Sequence, residues 1–168
     1  MNGVRFGILL PTREVVLSKR SDPSSICELA VRAEALGFDS VWVGDSLTAR
    51  PRLEPLATLA AVGSRTSRIR LGTAVFLAAL RHPVLVAHQV ATLDWLSGGR
   101  VDLGIGYGRL SDPAQEHEFR ILGLDVRQRI KISEEFVRVA RRLWNENDVS
   151  HAGVFACFER VTDRRAHV

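Results

Sequence analysis

Short apolar runs alternating with longer helical patterns, four times over, constrain this chain more than any other feature. Val4-Arg5-Phe6-Gly7-Ile8-Leu9-Leu10 reads as a buried strand stopped by Pro11, and Ser40-Val41-Trp42-Val43 as a second. Ile69-Arg70-Leu71-Gly72-Thr73-Ala74-Val75 reads as a third and Val101-Asp102-Leu103-Gly104-Ile105-Gly106 as a fourth. Helical spacing falls between them. Asp22-Pro23 opens a helix carrying Ile26, Leu29, Ala30, Ala33 and Leu36 and ended by Gly37. Pro55 to Val62 and His82 to Asp94 supply the next two, a short helix is expected from Pro113 to Leu122, and Arg129 to Trp144 is long and amphipathic. Strand and helix in alternation specify βαβ units and a parallel sheet. Such a sheet either curls into a barrel or reverses into a doubly wound fold, and the pattern favours neither.

In both architectures function gathers beyond the C-terminal ends of the strands. Here those ends are Pro11-Thr12, Asp45-Ser46, Ala74-Val75-Phe76 and Gly106-Tyr107-Gly108-Arg109. Asp45, one residue past the second strand's Gly44, either orients a ligand or caps the following segment with its carboxylate. The run Gly104-x-Gly106-x-Gly108 lets a flat ring or a phosphate approach the backbone, or relieves crowding inside a tight barrel. It is not the dinucleotide fingerprint, because the third glycine comes one residue early.

Other chemistries lack support. His82 and His88 are six residues apart, not an i, i+4 metal pair; His82 is expected to shape a loop and His88 to pack a helix. Neither a Gly-x-Ser-x-Gly elbow nor a phosphate-binding Walker loop occurs. Cys27 and Cys157 are too few for a disulfide scaffold. The net charge of +4 comes from 23 basic residues, of which only Lys19 and Lys131 are lysines. The arginines are scattered among acids, as ordinary solvated charge rather than a nucleic-acid face. With 46% hydrophobic and 25% charged residues, no membrane-length apolar run and no signal-like N-terminus, the expectation is a soluble, cytoplasmic protein.

Five segments in order carry a resemblance. They are Arg5-Phe6-Gly7-Ile8; Ala33 to Trp42; Thr66 to Val75; Arg81-His82-Pro83 with Ala87-His88-Gln89; and Thr92 to Val101 leading into Leu103-Gly104-Ile105-Gly106. Through them the chain resembles the luciferase-like monooxygenases, the flavin- and deazaflavin-dependent relatives of bacterial luciferase. The resemblance implies a (β/α)8 barrel of TIM type and redox chemistry on FMN or coenzyme F-420 at the C-terminal mouth. It assigns cofactor contacts to Asp45, Ala74, Val75, Gly106, Tyr107 and Gly108, with a non-proline cis peptide at Ala74-Val75. No catalytic residue is singled out and no metal is implied. Ser46 stands where deazaflavin relatives often carry His, and Arg109 where some carry an acid. Both departures point away from the sugar-phosphate dehydrogenase reaction.

Eight βα units need about 250 residues, and this 168-residue sequence contains four. The reading is half a barrel over residues 1–148 followed by a weakly patterned tail over 149–168. Its edge strands would invite self-association or a complementing half. The alternative is a non-catalytic half-barrel that only associates or binds a partner.

Overall fold

In the computed structural model, residues 3–18, 22 and 24–162 are described. The elements run β1 (Gly7–Leu9), α1 (Thr12–Leu17), α2 (Ser24–Ala35), β2 (Ser40–Val43), α3 (Pro55–Arg65), β3 (Arg70–Leu77), α4 (Pro83–Ser97), β4 (Val101–Gly106), α5 (Pro113–Ile121), α6 (Arg129–Asn145), β5 (Val149–Ala152) and β6 (Cys157–Val161). Single 3-10 turns at Ala78–Leu80 and Val126–Gln128 precede α4 and α6.

The first four strands form one parallel sheet in the order β1-β2-β3-β4. Sequential order with no reversal is that of a singly wound sheet, which resolves the choice the hydrophobic pattern left open. Register is fixed by Gly7↔Ser40 through Leu9↔Trp42, and by Ser40↔Arg70 through Val43↔Thr73. Along β2, fully buried Val41 and Val43 alternate with half-buried Ser40 and Trp42, so one face of the sheet is the packed one. On β3, Arg70 makes a two-pronged ion pair with Asp102 of β4, Nε to Oδ2 at 2.5 Å and Nη2 to Oδ1 at 2.6 Å.

The chain divides into two compact units, Met1–Phe76 with Leu96–Ile105, and Leu77–Trp95 with Gly106–Val168. The first holds β1, β2, α2 and α3. Helix α2 buries Ile26, Ala30 and Ala33; α3 starts on Pro55, with the Glu54 carboxylate accepting from the Ala57 N–H, and buries Leu56, Leu59 and Val62. Pro23 of the expected helix start lies outside the described residues, whereas Asp22 Oδ1 accepts from both the N–H and the hydroxyl of Ser24. Two motif residues tie this unit together. Arg100 is buried, and its guanidinium donates to the carbonyls of Gly63, Thr66, Ser97 and Ile69 and to the Thr66 hydroxyl. Glu34 accepts from the N–H groups of Ser67, Arg68 and Ile69.

In the second unit α6 buries Phe136, Val139, Ala140 and Leu143, and the Trp144 indole donates to the Ala87 carbonyl at 3.0 Å. A cluster of Ala79, Phe119, Val126 and Ile132 is completed by Leu80, Leu124 and Phe155. Within the segment read as a weakly patterned tail, Val149–Ala152 and Cys157–Val161 pair as an antiparallel hairpin, β5 against β6, and residues 163–168 lie outside the described residues. The hairpin's turn is held from outside: the Glu135 carboxylate accepts from the N–H groups of Val154, Phe155 and Ala156 and contacts His151 Nε2 at 3.2 Å. Residues Thr12–Leu17 form a short helix, and His88 is exposed on α4 rather than packed. Among the described residues no helix is long and apolar enough to cross a membrane.

Candidate functional site

A singly wound parallel sheet directs attention to the C-terminal ends of its strands. At β1, Leu10 still donates to the Trp42 carbonyl at 2.8 Å, and Pro11 then turns the chain into α1. Thr12 is completely buried, yet its hydroxyl has no hydrogen-bond partner. The buried Nε of Arg13 beside it is equally unpartnered. Thr12 is among the strand-end positions the sequence points to; Arg13 is not. The only signal for them is their place just past a strand end.

At β2, Gly44 is buried, Asp45 half-buried and Ser46 buried. Ser46 Oγ accepts from the Arg50 N–H at 2.9 Å, so the hydroxyl turns this segment. The Arg52 side chain lies against Gly44, where a Cβ would come within 3.0 Å of its Cζ.

On β3, the Ala74-Val75 peptide is cis, at the position the family resemblance implied. Ala74 and Val75 are exposed, Val75 at 43%, within a strand otherwise buried from Leu71 to Thr73 and from Phe76 on. The Thr73 hydroxyl donates to the Gly104 carbonyl at 2.9 Å. Asp45, Ala74 and Val75 therefore share the first unit and the same edge of its sheet.

Gly106 closes β4; Tyr107 and Gly108 follow in the second unit. The glycine run resolves into separate duties. A Cβ on Gly104 would overlap the Thr73 carbonyl oxygen, so this glycine serves close strand packing. Gly108 has φ +72°, a turn conformation that disfavours any side chain, and the next N–H, of Arg109, donates to Gln115 Oε1 at 2.5 Å. Tyr107 is 47% exposed.

Among the described residues, three carboxylates are held below their usual range, Asp22 by the hydroxyl and N–H of Ser24 and the other two, Glu34 and Glu135, by loops they hold; all lie away from these strand ends in the chain. Partial burial pushes Glu34 up, but the N–H groups of Ile69, Arg68 and Ser67, with the Ser67 hydroxyl, outweigh it and bring the pKa to about 2. For Glu135, burial again opposes and is overcome, by Ala156, Phe155, His151 and Val154, leaving the acid more readily ionised than usual. Both acids hold loops by accepting backbone donors. Among the described residues, no group of three or more His, Cys, Asp or Glu side chains is arranged to hold a metal ion.

Comparison with known proteins gives this geometry a family. The profile of the luciferase-like monooxygenases matches residues 4–167. A coenzyme F-420-dependent glucose-6-phosphate dehydrogenase from Kineococcus radiotolerans is 34% identical over 139 residues, covering 79% of this chain and 40% of that protein. Among solved structures, the monooxygenase RslO1 from Streptomyces bottropensis superposes with a TM-score of 0.80 at 31% identity, over 96% of this chain and 51% of its own. A coenzyme F-420-dependent secondary alcohol dehydrogenase gives 0.76 at 26% identity, over 94% and 47%. The chain thus spans about half the length of the relatives it matches. It belongs to the luciferase-like monooxygenase family.

Proposed function

We propose that this chain supplies the N-terminal half of a TIM-type barrel oxidoreductase that works on a flavin or deazaflavin ring, FMN or coenzyme F-420, and a small organic substrate. The observation carrying the reading is the family match over residues 4–167 laid on a sheet whose C-terminal edge bears Asp45, Ala74 and Val75. When bound, such a ring supplies hydride or oxygen chemistry. The protein's part is to place it and to exclude water.

The residues fit that task. Exposed Ala74 and Val75 offer a flat, small-sided stretch of β3 to a ring face. Asp45 offers a carboxylate, and Gly106 a strand end without a side chain. Tyr107 and Gly108 carry the chain away from that end through a turn. Unpartnered donors on Thr12 and Arg13 mark the same end of the sheet as one where protein groups alone leave hydrogen bonds unmade. The relatives' names divide between coenzyme F-420 and monooxygenase chemistry, and this reading takes the ring class as common to both.

The relatives are about twice the length of this chain, and the reading takes their further strands as the other half of the barrel. Strands β1 and β4 are the sheet's two edges, each paired on one side only. Mixing the purified chain with FMN, and separately with coenzyme F-420, tests the reading by co-elution and by ring fluorescence. Saturable binding of either ring is expected. Binding of neither, at protein concentrations up to the solubility limit, would sink the reading for this chain and leave the non-catalytic half-barrel.

A further inference from the structure

The second unit holds a cavity that its own side chains do not fill. About 290 Å3 in volume, it opens between the turn that follows β3, the segment after α5, one face of α6 and the tip of the β5–β6 hairpin. Every residue lining it belongs to that unit. Its depth is apolar, walled by the buried Ala79, Ile132 and Phe136. Leu122, 42% exposed, and the half-buried Phe155 stand at its mouth.

Unfilled space within a packed unit forfeits contacts that a ligand of matching shape restores. An apolar cavity of about 150 Å3 holds one benzene ring, so this larger one takes a saturated ring with a short side arm. Of the lining residues that carry charge, Glu135 is the buried one. The hairpin tip closes over its carboxylate, where a Cβ on Gly153 would overlap Oε1. Oε1 accepts from the N–H groups of Phe155 and Ala156 and meets His151 Nε2. Among the described residues, Oε2 accepts from the Val154 N–H alone, at 3.2 Å. A carboxylate oxygen has about two acceptor positions, so Oε2 retains one for a further donor. An anion would face this charge across apolar walls, and an ammonium would give up its hydration in a cavity that Arg81 also lines. The Arg81 guanidinium itself is turned to the Leu77 carbonyl, with Nη1 at 3.4 Å.

We propose that this cavity is a binding site for a small uncharged alcohol with a compact cyclic body, its ring against Ile132 and Phe136 and its hydroxyl donating to Glu135. Size selects the body, the walls exclude charge, and the carboxylate asks for a donor. The site does not rest on the ring reading, because it needs neither a bound ring nor the rest of a barrel.

The test uses the full chain with isotope-labelled leucine and isoleucine methyl groups, followed by NMR, and three probes of one shape. Cyclohexylmethanol carries the hydroxyl, its methyl ether lacks the donor, and cyclohexanecarboxylate carries a charge. The alcohol should give saturating shifts at Leu80, Leu122, Leu124 and Ile132, with Ile26 and Leu59 of the first unit unmoved. The ether and the carboxylate should each bind about tenfold more weakly. Ala79→Leu fills the depth, whereas Leu122→Trp crowds the mouth from an exposed position that folding tolerates. Each should weaken the alcohol about tenfold in a protein whose far-UV circular dichroism matches the parent. If Ala79→Leu does not fold, Leu122→Trp decides alone. Shifts that are absent up to the alcohol's solubility limit, or spread over both units, overturn the proposal. So does equal binding of the ether or the carboxylate, or an unchanged affinity for the alcohol in folded Leu122→Trp.

Discussion

Two charged side chains of this molecule do their work on backbone rather than on each other. Arg100 is buried without an acid partner; its charge is dispersed over four carbonyls and one hydroxyl drawn from the end of α3, the loop into β3 and the end of α4. Hydrogen bonds to a charged group contribute about 1.5–3 kcal/mol each in net terms, and buried carbonyls left unmade add to the loss. Arg100→Met is therefore expected to destabilise by about 3 kcal/mol or more in urea unfolding. Glu34 is the complementary case. Its pKa of about 2, against an ordinary 4.5, makes it a group whose stabilisation is fully present above about pH 4.5 and lost as pH falls towards 2. Glu34→Gln should cost about 1–2 kcal/mol at pH 7. The gap from the parent should close across that acid window, as thermal melts at pH 7, 4 and 2.5 would record. A constant gap would show that the carboxylate's charge is not what holds the Ser67–Ile69 turn.

Regular elements were legible where local pattern and tertiary demand agree. The bounds of β4, Val101 to Gly106, follow from the sequence because the run sits between a Ser97-Gly98-Gly99 turn and a tyrosine–glycine exit. Helix α6 was legible from a wide apolar stripe. The six residues of α1 carry no stripe long enough to announce a helix, and the turn at Pro11 decides them. The β5–β6 hairpin was not legible for a physical reason. Asp148 and Arg160 both take φ 54°, which side-chain-bearing residues rarely adopt, and the turn depends on Glu135, some twenty residues earlier. Glu135→Ala should free the turn, with amide exchange at Val154, Phe155 and Ala156 rising while that of β2 is unchanged. Equal exchange in both proteins would mean the hairpin holds itself. At the candidate site, strand-end positions Asp45, Ala74, Val75 and Gly106 could be named from order alone. Thr12 could be named in the same way, but its burial without a hydrogen-bond partner, and that of the Arg13 Nε, could not, because no sequence pattern records burial.

At the scale of the molecule, the described residues form a sheet of four strands, β1 and β4 each paired on one side among them, and the chain covers about half of the relatives' length. Edge strands carry unpaired N–H and C=O groups, and Val4, Phe6 and Leu9 are exposed around β1. Light scattering should find the isolated chain in assemblies larger than a monomer; a stable monomer would show that the edges are protected by other means. The account's central claim is narrower, that this half of the barrel carries ring-binding surface. Titration of FMN and of coenzyme F-420 into the parent and into Gly106→Val tests it most directly, with ring fluorescence as the readout and far-UV circular dichroism as the folding control. The account predicts saturable binding of at least one ring by the parent and its loss in a folded Gly106→Val. Equal binding by both proteins, or by neither, would contradict it.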